Sequence, residues 1–187
     1  MSVLQRKIAV MGFPCVGKSS ITMRFVKGTF PDSYDTTIED MYAKPHKFNG
    51  REFNLRITDT AGQQEHSLFP QSCTYDVDGY IIVYAIDDRQ SYEIVQTIYE
   101  KIRDNVGDIK FPIVLVGNKA DLQSTSRAVT RDEAQQLAKQ WDVVFLETSA
   151  KDNTAIQQIF EKILYEIELS KGNIRRPPPP KDKCTIS

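Results

Sequence analysis

Residues 6–19 read Arg-Lys-Ile-Ala-Val-Met-Gly-Phe-Pro-Cys-Val-Gly-Lys-Ser. An apolar run from Arg6 to Met11 stops at Gly12, and Gly12-Phe13-Pro14-Cys15-Val16-Gly17-Lys18-Ser19 satisfies the spacing G-x-x-x-x-G-K-[ST]. A strand that turns through such a loop into a helix aims successive main-chain N–H groups and a helix N-terminus at one point, which is a cradle for phosphate oxygens. Lys18 adds a full positive charge, and the Ser19 hydroxyl, followed by Ser20, is placed to reach a divalent cation shared with the phosphates. The segment predicts a strand, a loop over Pro14 to Ser20 that holds a nucleoside polyphosphate, and a helix.

Outward from this unit, apolar runs alternate with segments of helical period, the pattern of an α/β fold with a largely parallel sheet. Strands are expected over Arg6–Met11, Thr37–Phe48, Arg51–Thr58, Gly79–Ile86, Pro112–Asn118 and Val143–Glu147. Asn49-Gly50 tolerates the positive φ of a tight hairpin turn, so the second and third strands should pair antiparallel and the rest parallel. Ile156, Ile159, Phe160, Ile163, Leu164 and Ile167 recur at helical spacing and predict a core-facing stripe. Thr130 and Glu133 form a capping box that opens another helix. The expectation is a P-loop domain over residues 1–170, with a six-stranded sheet, one strand antiparallel, and helices on both faces. Residues 171–187 read as a tail, because five Lys or Arg, one Asp and Pro177–Pro180 cannot bury a core.

Composition narrows the function. With 187 residues the chain is one domain of ordinary size, and 24 Lys plus Arg against 25 Asp plus Glu supply no basic field for nucleic acid. Cys15, Cys73 and Cys184 have neither disulfide-framework nor zinc spacing, so a reducing compartment is expected. His46 and His66 are read as solvated loop residues rather than metal ligands. There is no apolar run of spanning length, and Arg6 and Lys7 stand where a secretory leader would be apolar, which places the chain in the cytosol.

Two further stretches define the ligand. Asp59 closes the third strand and is the natural carboxylate for Mg²⁺, acting through a water. Asn118-Lys119-Ala120-Asp121 stands at the end of the fifth strand. The Asp121 carboxylate can accept from N1–H and the 2-amino group of guanine together, whereas adenine offers it a lone pair and no amino group. Unpaired buried polar groups can cost roughly 10⁴ to 10⁵ in discrimination, enough to exclude ATP.

Taken in order, Asp59-Thr60-Ala61-Gly62-Gln63, Asn118-Lys119-Ala120-Asp121 and Glu147-Thr148-Ser149-Ala150-Lys151 resemble the Ras superfamily of small GTPases over nearly the whole domain. More narrowly, Phe13, Pro14-Cys15, Lys18-Ser19-Ser20 and Gln63-Gln64-Glu65-His66-Ser67-Leu68-Phe69-Pro70-Gln71 resemble its Rheb branch. The resemblance implies GTP or GDP with Mg²⁺ as ligands, and Ser19, Thr37 and Asp59 as the metal set. It counts Phe30, Pro31, Asp32, Tyr34, Ser149, Ala150 and Lys151 among the nucleotide contacts, with Phe30 packed against guanine and the Ala150 N–H on O6. Gly62 would bond the γ-phosphate, and Gln63 would orient the attacking water.

The resemblance also implies an effector surface over Tyr34–Asp40 and Gly62–Tyr75, a GTPase-activating protein, a possible exchange factor, a monomeric switch and, on the Rheb branch, the TOR kinase complex as effector. A Ras- or Rap-like switch with another effector stays open, as does a GTP-bound adaptor that barely hydrolyses. Two residues depart from the pattern: Thr36 replaces a usual proline, and Pro14 stands beside the γ-phosphate pocket where Ras proteins have glycine. The Pro14 ring implies slow hydrolysis and an activator that inserts something other than arginine. Thr29–Thr36 contains no Arg or Lys, so no arginine is supplied in cis and turnover should be on the order of 10⁻⁴ to 10⁻³ s⁻¹, as for Ras without its activator.

Cys184-Thr185-Ile186-Ser187 is a Cys-aliphatic-aliphatic-X sequence whose terminal Ser favours farnesylation of Cys184. One prenyl chain and a weakly basic tail anchor reversibly. The expected location is the cytoplasmic face of internal membranes of lysosome, Golgi or ER type, in exchange with the cytosol.

Overall fold

A computed structural model describes residues 2–33, 35–107 and 110–178. Tyr34 and Cys184, both singled out above, lie outside the described residues. In chain order the elements are β1 (Leu4–Gly12), α1 (Lys18–Lys27), β2 (Glu39–Phe48), β3 (Arg51–Thr60), β4 (Gly79–Ala85), α2 (Arg89–Val106), β5 (Ile113–Asn118), α3 (Arg131–Trp141), β6 (Val144–Glu147) and α4 (Ile156–Ser170). Short 3₁₀ turns occupy Gln71–Cys73 and Ala120–Leu122.

The six strands lie in the order β2-β3-β1-β4-β5-β6. β2 runs antiparallel to β3 and every other pair is parallel. The antiparallel pair follows from its turn, since Asn49 (φ 49°) and Gly50 (φ 75°) both take the left-handed conformation that a two-residue hairpin needs. The four parallel pairings, among β3, β1, β4, β5 and β6, need long crossovers, and these supply the helices.

All seven residues of β4 are buried, as expected of a central parallel strand covered on both faces. Ile81, Val83 and Ala85 join Ile8, Val10, Leu55 and Ile57 under α1 and α4. Tyr80, Ile82 and Tyr84 join Ala9 and Met11 under α2 and α3. The predicted α4 stripe, Ile156, Ile159, Phe160, Ile163, Leu164 and Ile167, is buried throughout. Burial contributes about 1.5–3 kcal/mol for each such side chain relative to exposure. Thr130 and Glu133 exchange both bonds of the capping box at the start of α3.

Two expectations need correction. The second strand begins at Glu39 rather than Thr37, which leaves Thr37 in the loop before it. His46 is not a solvated loop residue: it sits in β2, half-buried, with its ring 5.8 Å from Phe25. Period two in β2 turns Tyr42, Lys44, His46 and Phe48 inward, and burial pushes the His46 imidazole below its usual range. His66 lies exposed in the loop after β3. β2 is an outer strand of the sheet, and Pro45 stands in its middle opposite Asn54.

Among the described residues no helix is long and apolar enough to cross a membrane.

Candidate guanine-nucleotide site

The loop from Phe13 to Gly17 leaves the C-terminal end of β1, which has β3 and β2 on one side and β4, β5 and β6 on the other. Open α/β sheets bind ligands at such a reversal of strand order. Cys15 (φ 64°) and Gly17 (φ 97°) bend the loop, and Gly17 caps α1 with no side chain over the helix end and no acidic residue in the first turn. The positive end of α1 is thereby open to an anion.

Lys18 is only 6% exposed, and its Nζ donates to the Phe13 carbonyl at 2.9 Å. Burial pushes the amine down to about 8, against the opposing charge of Asp59. A desolvated amine held by a carbonyl gains strongly from an anion placed against it.

Ser19 Oγ lies 2.5 Å from Asp59 Oδ2 and 2.7 Å from Thr37 Oγ1. Asp59 is fully buried, so desolvation raises its carboxyl pKa while the Ser19 hydrogen bond and Lys18 lower it. Its Oδ1 is buried without a hydrogen-bond partner. Hard oxygens from α1, the loop before β2 and β3 thus converge, one of them unsatisfied, and this donor set fits an octahedral Mg²⁺.

Gln63 is tied to the phosphate loop through its main chain, where its N–H donates to the Gly12 carbonyl at 2.8 Å. Its side chain is 4% exposed, with Nε2 at 3.4 Å from the Ala61 carbonyl and Oε1 buried without a partner. Gly62 lies directly against Pro14.

On the base side, Asn118 ends β5 and fans out three ways. Its Nδ2 donates to the Val16 carbonyl at 2.9 Å, while Oδ1 accepts from Thr148 Oγ1 at 3.3 Å and Ala150 N–H at 3.2 Å. Val16 is fully buried. Lys119 takes the left-handed conformation (φ 65°), which turns the chain so that Asp121 meets Ser149, whose Oγ donates to Asp121 Oδ1 at 2.7 Å. Ser149 Oγ in turn accepts from Asp152 N–H at 3.0 Å. Phe30 and Asp32 are exposed, Pro31 and Ser20 are half-buried, and Lys151 is exposed. The structure therefore brings Gly17, Lys18, Ser19, Thr37 and Asp59 into one group, and Asn118, Asp121, Ser149 and Ala150 into a second, joined to the first by the Asn118–Val16 bond.

Arg24 carries a role the sequence did not disclose. From α1 its Nε donates to the Ala150 carbonyl at 3.0 Å and Nη2 to the Lys151 carbonyl at 2.8 Å, while its guanidinium stands 5.8 Å from the Phe30 ring centroid. It clasps the segment after β6 to the helix that follows the phosphate loop. No local motif marks an arginine whose partners lie 126 and 127 positions away.

Residues 7–169 match the Ras family. The chain is 51% identical to GTP-binding protein Rheb homolog 1 of Caenorhabditis elegans over 171 residues, 91% of this chain and 82% of that protein. It is 46% identical to GTP-binding protein Rheb of Homo sapiens over 167 residues, 89% of this chain and 90% of that protein. It is 43% identical to the Rheb homolog of Drosophila melanogaster over the full length of both. With a phosphate loop, an oxygen cluster and a base-side Asn/Asp pair gathered at one end of a Ras-type sheet, the chain belongs to the Ras family, in its Rheb branch.

Proposed function

We propose that this protein is a guanine-nucleotide switch that binds GTP or GDP with Mg²⁺, hydrolyses GTP slowly and passes its state to an effector. The single observation that carries the reading is the Ser19 hydroxyl held between Asp59 and Thr37 beside the buried Lys18 amine. In it Ser19 and Thr37 would hold Mg²⁺ directly and Asp59 through a water, with Pro14 to Ser20 around the phosphates. When bound, the cation neutralises charge shared by the β- and γ-phosphates. Asp121 reads the guanine edge, with Asn118, Lys119, Ser149, Ala150, Lys151, Phe30, Pro31, Asp32 and Tyr34 around base and ribose. Ala150 N–H, now on Asn118, would turn to the guanine O6.

Thr37 and Gly62 would report the γ-phosphate to Tyr34–Asp40 and Gly62–Tyr75. Ile38, at 87% exposure, and Leu68, at 91%, stand out from these two segments and offer an effector apolar contact. By branch resemblance the effector is the TOR kinase complex. Regulators are a GTPase-activating protein and an exchange factor. Farnesylation of Cys184 in the tail, residues 171–187, would hold the domain reversibly on the cytoplasmic face of internal membranes.

Gln63 is the catalytic residue of this reading: its side chain turns out of its buried position to orient water when GTP and an activator are bound. That burial also favours a second reading, a GTP-bound adaptor with negligible turnover. Mass spectrometry of the purified full chain, with competition between guanosine and adenosine diphosphates, tests the switch. Bound guanosine nucleotide is expected, and equal uptake of adenosine forms overturns it. Single-turnover phosphate release separates switch from adaptor, with a slow but measurable burst expected.

A further inference from the structure

A cavity of about 600 Å³ opens between the C-terminal end of α1, the middle of β2 and the first turn of α4, and among the described residues shares no lining residue with the nucleotide set. Arg24, Lys27, Lys44, His46, Gln157 and Gln158 line it, and among the described residues no Asp or Glu does. Among the described residues Arg24, Lys27 and Lys44 enter no ion pair. They are held by carbonyls and ring faces instead. Arg24 donates to the carbonyls of Ala150, Lys151 and Gly28; Lys44 donates to the Phe25 carbonyl with its Nζ 4.3 Å from the Phe25 ring centroid; Lys27 Nζ lies 5.7 Å from the centroid of Tyr42.

Such contacts orient a cation without cancelling its charge. His46 Nε2 is buried with no partner. The carboxylate that acts on His46 is Glu161, and it accepts from Gln157 Nε2 at 2.7 Å. α4 itself starts with no capping side chain and no acidic residue in its first turn. A chain of net charge −1 therefore concentrates three permanent positive charges, a histidine and a bare helix end on one hollow.

We propose that this cavity binds a polyphosphorylated polyol. A single inorganic phosphate would reach few of these groups, because the cations come from two elements and the helix end from a third. Small-molecule sites span roughly 300–1,000 Å³, so a cavity of this size takes a sugar-sized ring carrying several phosphates. Arg24 gives three of its five N–H donors to carbonyls and keeps two beside its full charge, Lys27 and Lys44 add point charges, and the glutamine amides suit ring hydroxyls. The same chemistry is carried by a soluble inositol phosphate and by the headgroup of an inositol lipid.

The test uses the full GDP-loaded chain with Cys184→Ser, so that no prenyl group contributes. Inositol trisphosphate is titrated by calorimetry. Separately, phosphatidylcholine vesicles carrying phosphatidylinositol bisphosphate are sedimented against vesicles matched in charge with phosphatidylserine. Lys27→Glu with Gln158→Glu takes the lining from three net positive charges to none through two exposed positions, and an acidic residue in the first turn of α4 supports the helix. Retained nucleotide and an unchanged melting temperature certify that the variant is folded.

Binding of free inositol trisphosphate, weakened at least about tenfold in the variant, supports the site with a soluble ligand sufficient. Selective sedimentation with the inositol lipid alone, lost in the variant, supports it with the membrane as source. Equal sedimentation with phosphatidylserine, an indifferent variant, or no binding in either arm overturns it.

Discussion

A Cβ added to Gly62 would lie 2.5 Å from Pro14 Cγ and 2.6 Å from Pro14 Cα. The phosphate loop and the segment after β3 are in backbone-to-backbone contact, closed further by the Gln63 N–H to Gly12 carbonyl bond at 2.8 Å. Two of the three nearest atoms, Pro14 Cα and N, are main chain, so the clash cannot be relieved by a side-chain rotation. Gly62→Ala is expected to lower stability by about 1–3 kcal/mol, the usual cost of overpacking. Pro14→Gly should not rescue it. Thermal unfolding of both single variants and the double variant checks this: recovery of the wild-type melting temperature in the double variant would show that the ring alone sets the contact.

The same contact bears on catalysis. On the proposed reading, Pro14 brings a ring and no N–H to the side of the phosphate loop that an arginine from an activator would have to approach. Pro14→Gly is expected to become responsive to an arginine-supplying activator, by at least about 10³-fold, the lower end for an arginine finger. The wild type should respond far less. Single-turnover hydrolysis with and without the activator measures both, and equal responses would refute the steric role.

Asn118→Ala removes the bonds to Val16, Thr148 and Ala150 at once. Buried groups left unpaired cost about 1–3 kcal/mol each. A net loss of about 2–4 kcal/mol is expected, or roughly 5–15 °C in melting temperature for a domain of this size. Nucleotide release should accelerate, because the phosphate side and the base side lose their bridge. Asn118→Asp keeps the acceptor but sets a buried carboxylate oxygen against the Val16 carbonyl, and should be destabilised at least as much as alanine.

Glu133 makes an acid-sensitive contribution that can be isolated. Hydrogen bonds from Arg89, then from the Thr130 N–H and hydroxyl, hold its carboxyl down to about 2, against an ordinary 4.5. A carboxyl depressed in the folded state stabilises above its unfolded value and loses that contribution as pH falls toward the folded one. The difference in melting temperature between wild type and Glu133→Gln should therefore be constant above about pH 5 and shrink steadily between about pH 4.5 and 2. A difference independent of pH would mean that the carboxylate's charge is not what matters.

Much of this was legible in the sequence for one physical reason: periodicity and turn chemistry are local. The α4 stripe, the Thr130 capping box, the Asn49-Gly50 hairpin and the phosphate loop each depend on neighbours within a few positions, and each stands where expected. His46 was misread although it fell inside a predicted strand; the period of two that buries Phe48 buries His46 as well. What could not be read were contacts made only by folding. Arg24 reaches carbonyls 126 and 127 positions away, and Gln63, to which the family resemblance gives the task of orienting the attacking water, is tucked away by packing that no motif encodes.

Pro45 has one more consequence. It interrupts the hydrogen-bonding rail of an outer strand that also carries Lys44 and Lys47, and the opposite rim, β6, is only four residues long. Neither margin can template a further chain, since one lacks an amide and bears charge and the other is too short to zip. Copies crowded side by side at high local concentration are therefore kept from fusing into a continuous ribbon.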